Sequence, residues 1–191
     1  MSRLPPLDRA QMTPEQRAVA DAITSGPRGG GGGGAATGTI GGPCRPWLMS
    51  PSFGALAQRM GAYCRFETSL PGSLSEMVIL LTGKHWRSQY EFWAHSRLAR
   101  EAGLPAETIE AIRVGGEPPL HSEAERATYA LVQEYFADRR VSDAVYQRAV
   151  AAIGERGVLD VVAIIGYYSL VSATLNVFDV SLPEGQTPPL A

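Results

Sequence analysis

Two carboxylates, a hydroxyl and an imidazole lie close together in one largely apolar run of this chain: Glu76, Ser88, Glu91 and His95. Ser88, Glu91 and His95 follow the i, i+3, i+7 spacing of a single helical stripe. A carboxylate four residues before an imidazole can orient the ring and raise its pKa. Groups of this kind, held among apolar side chains, can form a proton relay, so the chemistry they offer is acid–base. The competing reading is structural. Ser73-Leu-Ser-Glu76 and Ser88-Gln-Tyr-Glu91 are each capping boxes, whose carboxylate satisfies an amide at a helix start. A histidine beside apolar residues is also more often a packing residue than a reactive one.

For a relay to exist, the chain must fold back on itself. In one straight helix Glu76 and His95 would stand about 28 Å apart, at ~1.5 Å per residue. Gly83 weakens helix at its position, and the second capping box signals a new helix start, so a break is expected between about Lys84 and Arg87. If the two arms pack antiparallel, the midpoint between 76 and 95 falls at the break, and Glu76 comes level with His95. A single kinked helix is the alternative.

Other side chains could complete a pocket. Trp86 and Tyr90 flank the expected turn and could wall a small aromatic or lactone-sized ligand, with Ser88 beside them. Arg45 and Arg87 are candidates for gripping a substrate carboxylate, because guanidinium is a planar fork. His85, at the turn, reads as solvated, and His121 belongs to a loop near a helix start. Tyr167 and Tyr168 could line the pocket from the last helix or pack at a subunit interface, and packing is the favoured reading.

The remaining elements read as helices. Thr13 can cap a helix from Pro14 to about Thr24, and Ser50 one from Pro51 to about Glu67. Others are expected at Ala106–Val114, Ser122–Asp138, Ser142–Gly154 and Val158–Val180. No run alternates in the period-two manner of a strand, so the fold class is all-α. Residues 1–28 form an N-terminal helical extension and 29–42 a glycine-rich flexible loop; 43–182 form the main helical domain and 183–191 a proline-rich tail. The run Gly29 to Gly34 has neither the Gly-Lys-Ser/Thr ending nor the preceding strand of a phosphate-binding loop.

At 191 residues, 45% apolar and 19% charged, the chain has the size and balance of one soluble domain. A net charge of −2, with no basic run, gives no reason to expect nucleic acid or an anionic membrane. Cys44 and Cys64 fit no zinc or redox spacing, and two buried free thiols in a reducing cytoplasm are expected. The N-terminus carries no secretory signal pattern. The apolar stretch Val158 to Val180 is interrupted by Asp160, Asn176 and Asp179. It reads as a buried helix, one face of which a partner subunit covers.

The segments Leu74-Ser-Glu76-Met-Val-Ile-Leu-Leu, Trp86 through His95 and Ala99 through Ile112 resemble the carboxymuconolactone decarboxylase and AhpD-like family. The resemblance is clear over roughly residues 50–135 and looser outside. It implies an AhpD-like helical bundle with a central antiparallel helix hairpin, and a homo-oligomer: a dimer that associates further, as a trimer of dimers. Members of the AhpD type carry a Glu, a CxxC pair and a His at this spacing. Here Ser88 and Glu91 occupy the two cysteine positions while Glu76 and His95 keep theirs. Neither Ser88 nor Glu91 can cycle through a disulfide, which argues against the thiol peroxidase chemistry of that branch.

The expected function is therefore cofactor-independent acid–base chemistry on a small carboxylated or lactone-like compound, by decarboxylation or a related lyase or isomerase step. His95, Glu91 and Glu76 would be catalytic. No metal or organic cofactor is required. The alternatives are a non-catalytic small-molecule binder or interaction protein on the same fold, and a thiol peroxidase using Cys44 or Cys64.

Overall fold

A computed structural model describes residues 2–5, 7–25 and 39–191. The run Gly29 to Gly34, expected to be a flexible loop, lies outside the described residues. In chain order the elements are β1 (Leu7–Asp8), a 3-10 turn (Arg9–Gln11), α1 (Pro14–Ser25), β2 (Thr39–Ile40), α2 (Cys44–Trp47), α3 (Pro51–Phe66), α4 (Gly72–His85), α5 (Gln89–Glu101), α6 (Ala106–Val114), α7 (Glu123–Asp138) and α8 (Asp143–Val177). The two short strands, not foreseen from the sequence, pair antiparallel with Leu7 opposite Ile40. Two residues each are too few to show alternation, and the fold is all-α.

Local chemistry sets most boundaries. Thr13 and Gln16 cap α1 reciprocally, backbone to side chain in both directions. Ser122 and Glu125 do the same for α7. The two capping boxes read near the candidate site do not form. Pro71 stands at the start of α4 and Ser88 at the start of α5, and neither makes a side-chain cap bond. Glu76 and Glu91 turn to His95 instead.

The break between α4 and α5 is a Schellman turn. Ser88 N donates to Gly83 O at 2.8 Å and Arg87 N to Lys84 O at 3.0 Å, with Arg87 in the left-handed region at φ 50°. Glycine usually fills that place. The helices on either side pack together as the expected antiparallel hairpin.

Helix α4 is the centre of the molecule. Every residue from Leu74 to Gly83 is buried, because α5, α6, α7 and α8 all pack on it. Its apolar residues recur on every face, as a fully enclosed helix requires. The two helices expected at 142–154 and 158–180 form one element, α8, interrupted at Gly154, where φ is 74° and ψ 165°. By length and composition α8 could cross a bilayer, but 56% of its most apolar window is buried inside the protein. Along its outer side Leu159, Val162, Leu170 and Val177 are exposed, as are Phe53, Leu56 and Met60 on α3.

Asp160, fully buried on α8, ties the α3–α4 corner to that helix. It accepts from Tyr63 Oη at 2.6 Å and from the backbone and hydroxyl of Ser69, both at 2.7 Å. Asp160→Ala strands these donors without an acceptor. We expect a loss of about 2–4 kcal/mol of stability, read as a lowered urea midpoint with an unchanged m-value.

Candidate active site

His95 lies between two carboxylates from two helices. Its Nδ1 is 2.7 Å from Glu76 Oε2 on α4, and its Nε2 is 3.0 Å from Glu91 Oε1 on α5. The first contact is an aligned hydrogen bond; the second is an ion-pair contact without that alignment. All three residues are buried, at 7%, 8% and 3% exposure respectively. Glu91 lies one turn before His95 on the same helix, and Glu76 reaches across the hairpin. The coincidence requires both the i, i+4 spacing and the level packing of the two arms.

The environment sets the charge of the ring. Burial alone would push the imidazole pKa down, but the two carboxylates outweigh it and lift it to about 9. At neutral pH His95 is therefore an imidazolium, donating from Nδ1 to Glu76 and in ion-pair contact through Nε2 with Glu91. Tyr168 stands edge-on to it, with ring centroids 5.0 Å apart. Burial, then the charges of Glu91 and Glu76, raise the Tyr168 phenol well above its ordinary value.

The relay opens onto a cavity of about 1090 Å³, roomy for a small ligand. His95, Glu91, Tyr90 and Trp93 line it from α5, and Tyr167 and Tyr168 from α8. The tail crosses its rim. Trp93 Nε1 donates to Gln186 Oε1 at 2.9 Å, and Gln89 exchanges two hydrogen bonds with the backbone of Leu190.

The other candidates are scattered. Tyr90 lines the cavity, whereas Trp86, Arg45 and Arg87 do not. Trp86 is 45% exposed and donates to Ser169 Oγ at 2.8 Å. Arg45 binds the carbonyl of Pro5 and Arg87 that of Ala191. Both arginines were expected to hold substrate, but each is turned to a chain terminus. Ser88 is fully buried at the start of α5, away from the cavity lining, and its hydroxyl has no partner among the described residues.

One further sequence reading needs correction. His85 is half-buried rather than solvated, stacked on Phe136 at 4.0 Å, and its pKa is lowered by burial and by Arg139. Tyr167 and Tyr168 face the cavity as well as packing. The sequence reading missed Arg65 and Trp93 as lining residues. Trp93 shares the helical stripe of Tyr90, which is a usable signal. Arg65 comes from α3, and nothing local marks it. Cys44 lines the cavity and Cys64 is buried elsewhere; neither forms a disulfide.

No family model and no curated protein matches this chain. Solved structures do. One is an uncharacterised peroxidase-related protein with the alkylhydroperoxidase AhpD core, from Ralstonia eutropha JMP134. It aligns over 96% of this chain and 93% of its own, with a TM-score of 0.75 and 13% identity.

The chain has the AhpD-like fold.

The debrominase Bmp8, in a cysteine-to-alanine form bound to 2,3,4-tribromopyrrole, aligns over 99% of this chain and 96% of its own, with a TM-score of 0.72 and 13% identity. A protein of unknown function from Agrobacterium tumefaciens, described as a putative antioxidant defence protein AhpD, covers 72% of this chain and 95% of its own, with a TM-score of 0.60 and 17% identity. At these identities the likeness establishes the AhpD-like architecture alone.

The raised pKa has a consequence for stability. His95 binds its proton more tightly folded than unfolded, so its contribution is complete below about pH 6.5. It is lost as pH rises through about 9, on the order of 3 kcal/mol in total. In an NMR titration the His95 ring should titrate near 9, and Glu76→Gln should lower that midpoint.

Proposed function

We propose that this protein is a cofactor-independent acid–base enzyme acting on a small carboxylated or lactone-like compound, with His95 as the general acid. The observation that carries the reading is the imidazolium held at the cavity wall by Glu76 and Glu91. A structural histidine in a dry core would need no opening to a cavity, and capping carboxylates would face amides.

In the decarboxylation variant, the bond between the ring carbon and the departing carboxylate breaks. Its electron pair moves into a conjugated carbonyl to give an enolate, and CO2 leaves. His95 then delivers its proton to carbon and is reprotonated from water. The two carboxylates keep the donor charged at neutral pH, and Glu76 fixes the ring through Nδ1. Isomerisation or lactone opening would use the same donor without CO2 loss. The fold neighbour that binds a tribromopyrrole supports a small planar ring as the size class.

We also infer self-association. The exposed apolar stripes of α3 and α8 are the surfaces a second copy would cover. Light scattering should give a multiple of the chain mass, and Leu159→Lys with Val162→Lys should shift it towards monomer. A monomeric wild-type protein would defeat the inference.

The functional test is a screen of carboxylated lactones for CO2 release and product isomers. His95→Gln should lower kcat by about a hundredfold or more while leaving the circular dichroism unchanged. The wild-type rate should fall as pH rises through about 9, where the acid loses its proton. Retained turnover in a folded His95→Gln variant would remove the reading.

A further inference from the structure

Arg65, on the last turn of α3, lines the cavity together with Glu91, His95 and Tyr168. Its positive charge acts on Tyr168, opposing the upward push of the two carboxylates. Two other cavity arginines are already paired, Arg97 with Glu101 at 2.6 Å and Arg113 with Glu110 at 2.7 Å, and a third, Arg100, is exposed to solvent. Arg65 is different. Among the described residues no carboxylate lies within ion-pair distance of it, and its buried Nε has no hydrogen-bond partner. The guanidinium rests over the Phe66 ring, 4.9 Å from the centroid. That contact steadies the group without neutralising it. Arginine keeps its charge at any working pH, and a sheltered donor without an acceptor is costly, so a ligand that supplies the acceptor gains affinity there.

A purely structural role would be to balance the acidic pair. Ion-pair contact with Glu76 or Glu91 would then be expected, yet both carboxylates spend their close contacts on His95. We propose that Arg65 is the anion-holding residue of this cavity, gripping a carboxylate of the ligand through its planar fork while His95 faces the reacting carbon. The placement opposite His95 rests on the acid–base reading above; the anion recognition does not. A carboxylate paired with guanidinium resists leaving as CO2, so the group held here is one the reaction keeps, or an oxygen that gains charge.

The test is calorimetric binding of benzoate and of its neutral counterpart benzamide, to the full chain at pH 7. Wild-type protein should prefer benzoate. Arg65→Gln should weaken benzoate by about ten- to a hundredfold, the worth of a charge-assisted bond, and leave benzamide unchanged. Arg65→Lys, which keeps the charge but not the fork, should fall between. Arg100→Gln, at an exposed cavity arginine, should change benzoate binding by less than about fivefold. Equal benzoate affinity in Arg65→Gln, no preference in the wild type, or loss in Arg100→Gln instead would each overturn the assignment. If Arg65→Gln fails to fold, the wild-type preference and the Arg65→Lys value still decide. His95→Gln should still bind benzoate, so failure of the acid–base reading shows in turnover and failure of this assignment shows in binding.

Discussion

A protonated imidazole buried between two carboxylates is the constraint around which this molecule is organised. Desolvating three charged groups costs several kcal/mol each, and only close opposite charges recover it. The recovery depends on geometry: 2.7 Å to one side and 3.0 Å to the other. Removing either helix of the hairpin from register would leave a buried charge alone. The arrangement holds a proton in place near neutrality, which stability alone does not call for. Apolar residues of similar volume would fill the same space at no desolvation cost.

Much of this was legible in the sequence. The apolar period, the prolines and the glycines located α1 and α3 to α7 to within a few residues, and the equal spacing of Glu76 and His95 about the break foretold their meeting. The two local serine–glutamate patterns misled in one respect. They match capping boxes in text, and the pattern at Ser122 and Glu125 is one in fact. At Glu76 and Glu91 a charged partner outbids an amide, and only the hairpin reveals that partner. Arg45 and Arg87 were candidates for their planar guanidinium, and side-chain chemistry alone carries no information on direction. Arg65 shares the cavity wall with Tyr168, 103 positions away in the chain, and no local pattern encodes such a juxtaposition.

The same comparison explains how structures at 12–17% identity share this architecture. What the fold needs is a central helix apolar on all sides, a tight reversal, and ties such as Asp160 that fix the corners. Many residues satisfy the first requirement. Even the reversal accepts a non-glycine residue, since Arg87 takes the left-handed position at a cost of about 1–2 kcal/mol. At the relay Glu91 stands 3.0 Å from His95 at the cavity wall, while Ser88 sits at the start of α5 away from that lining.

The hairpin also imposes a rule of length. Glu76 lies about ten residues before the reversal and His95 about eight after it. Each helical residue carries a rotation of about 100° and a rise of about 1.5 Å. Adding or deleting a single residue between 76 and the turn, or between the turn and 95, would swing one member of the pair around its axis and out of reach. The same indel outside those limits would leave their phase untouched. The stretch from 76 to 95 thus behaves as a ruler, tolerant in lettering and intolerant in count.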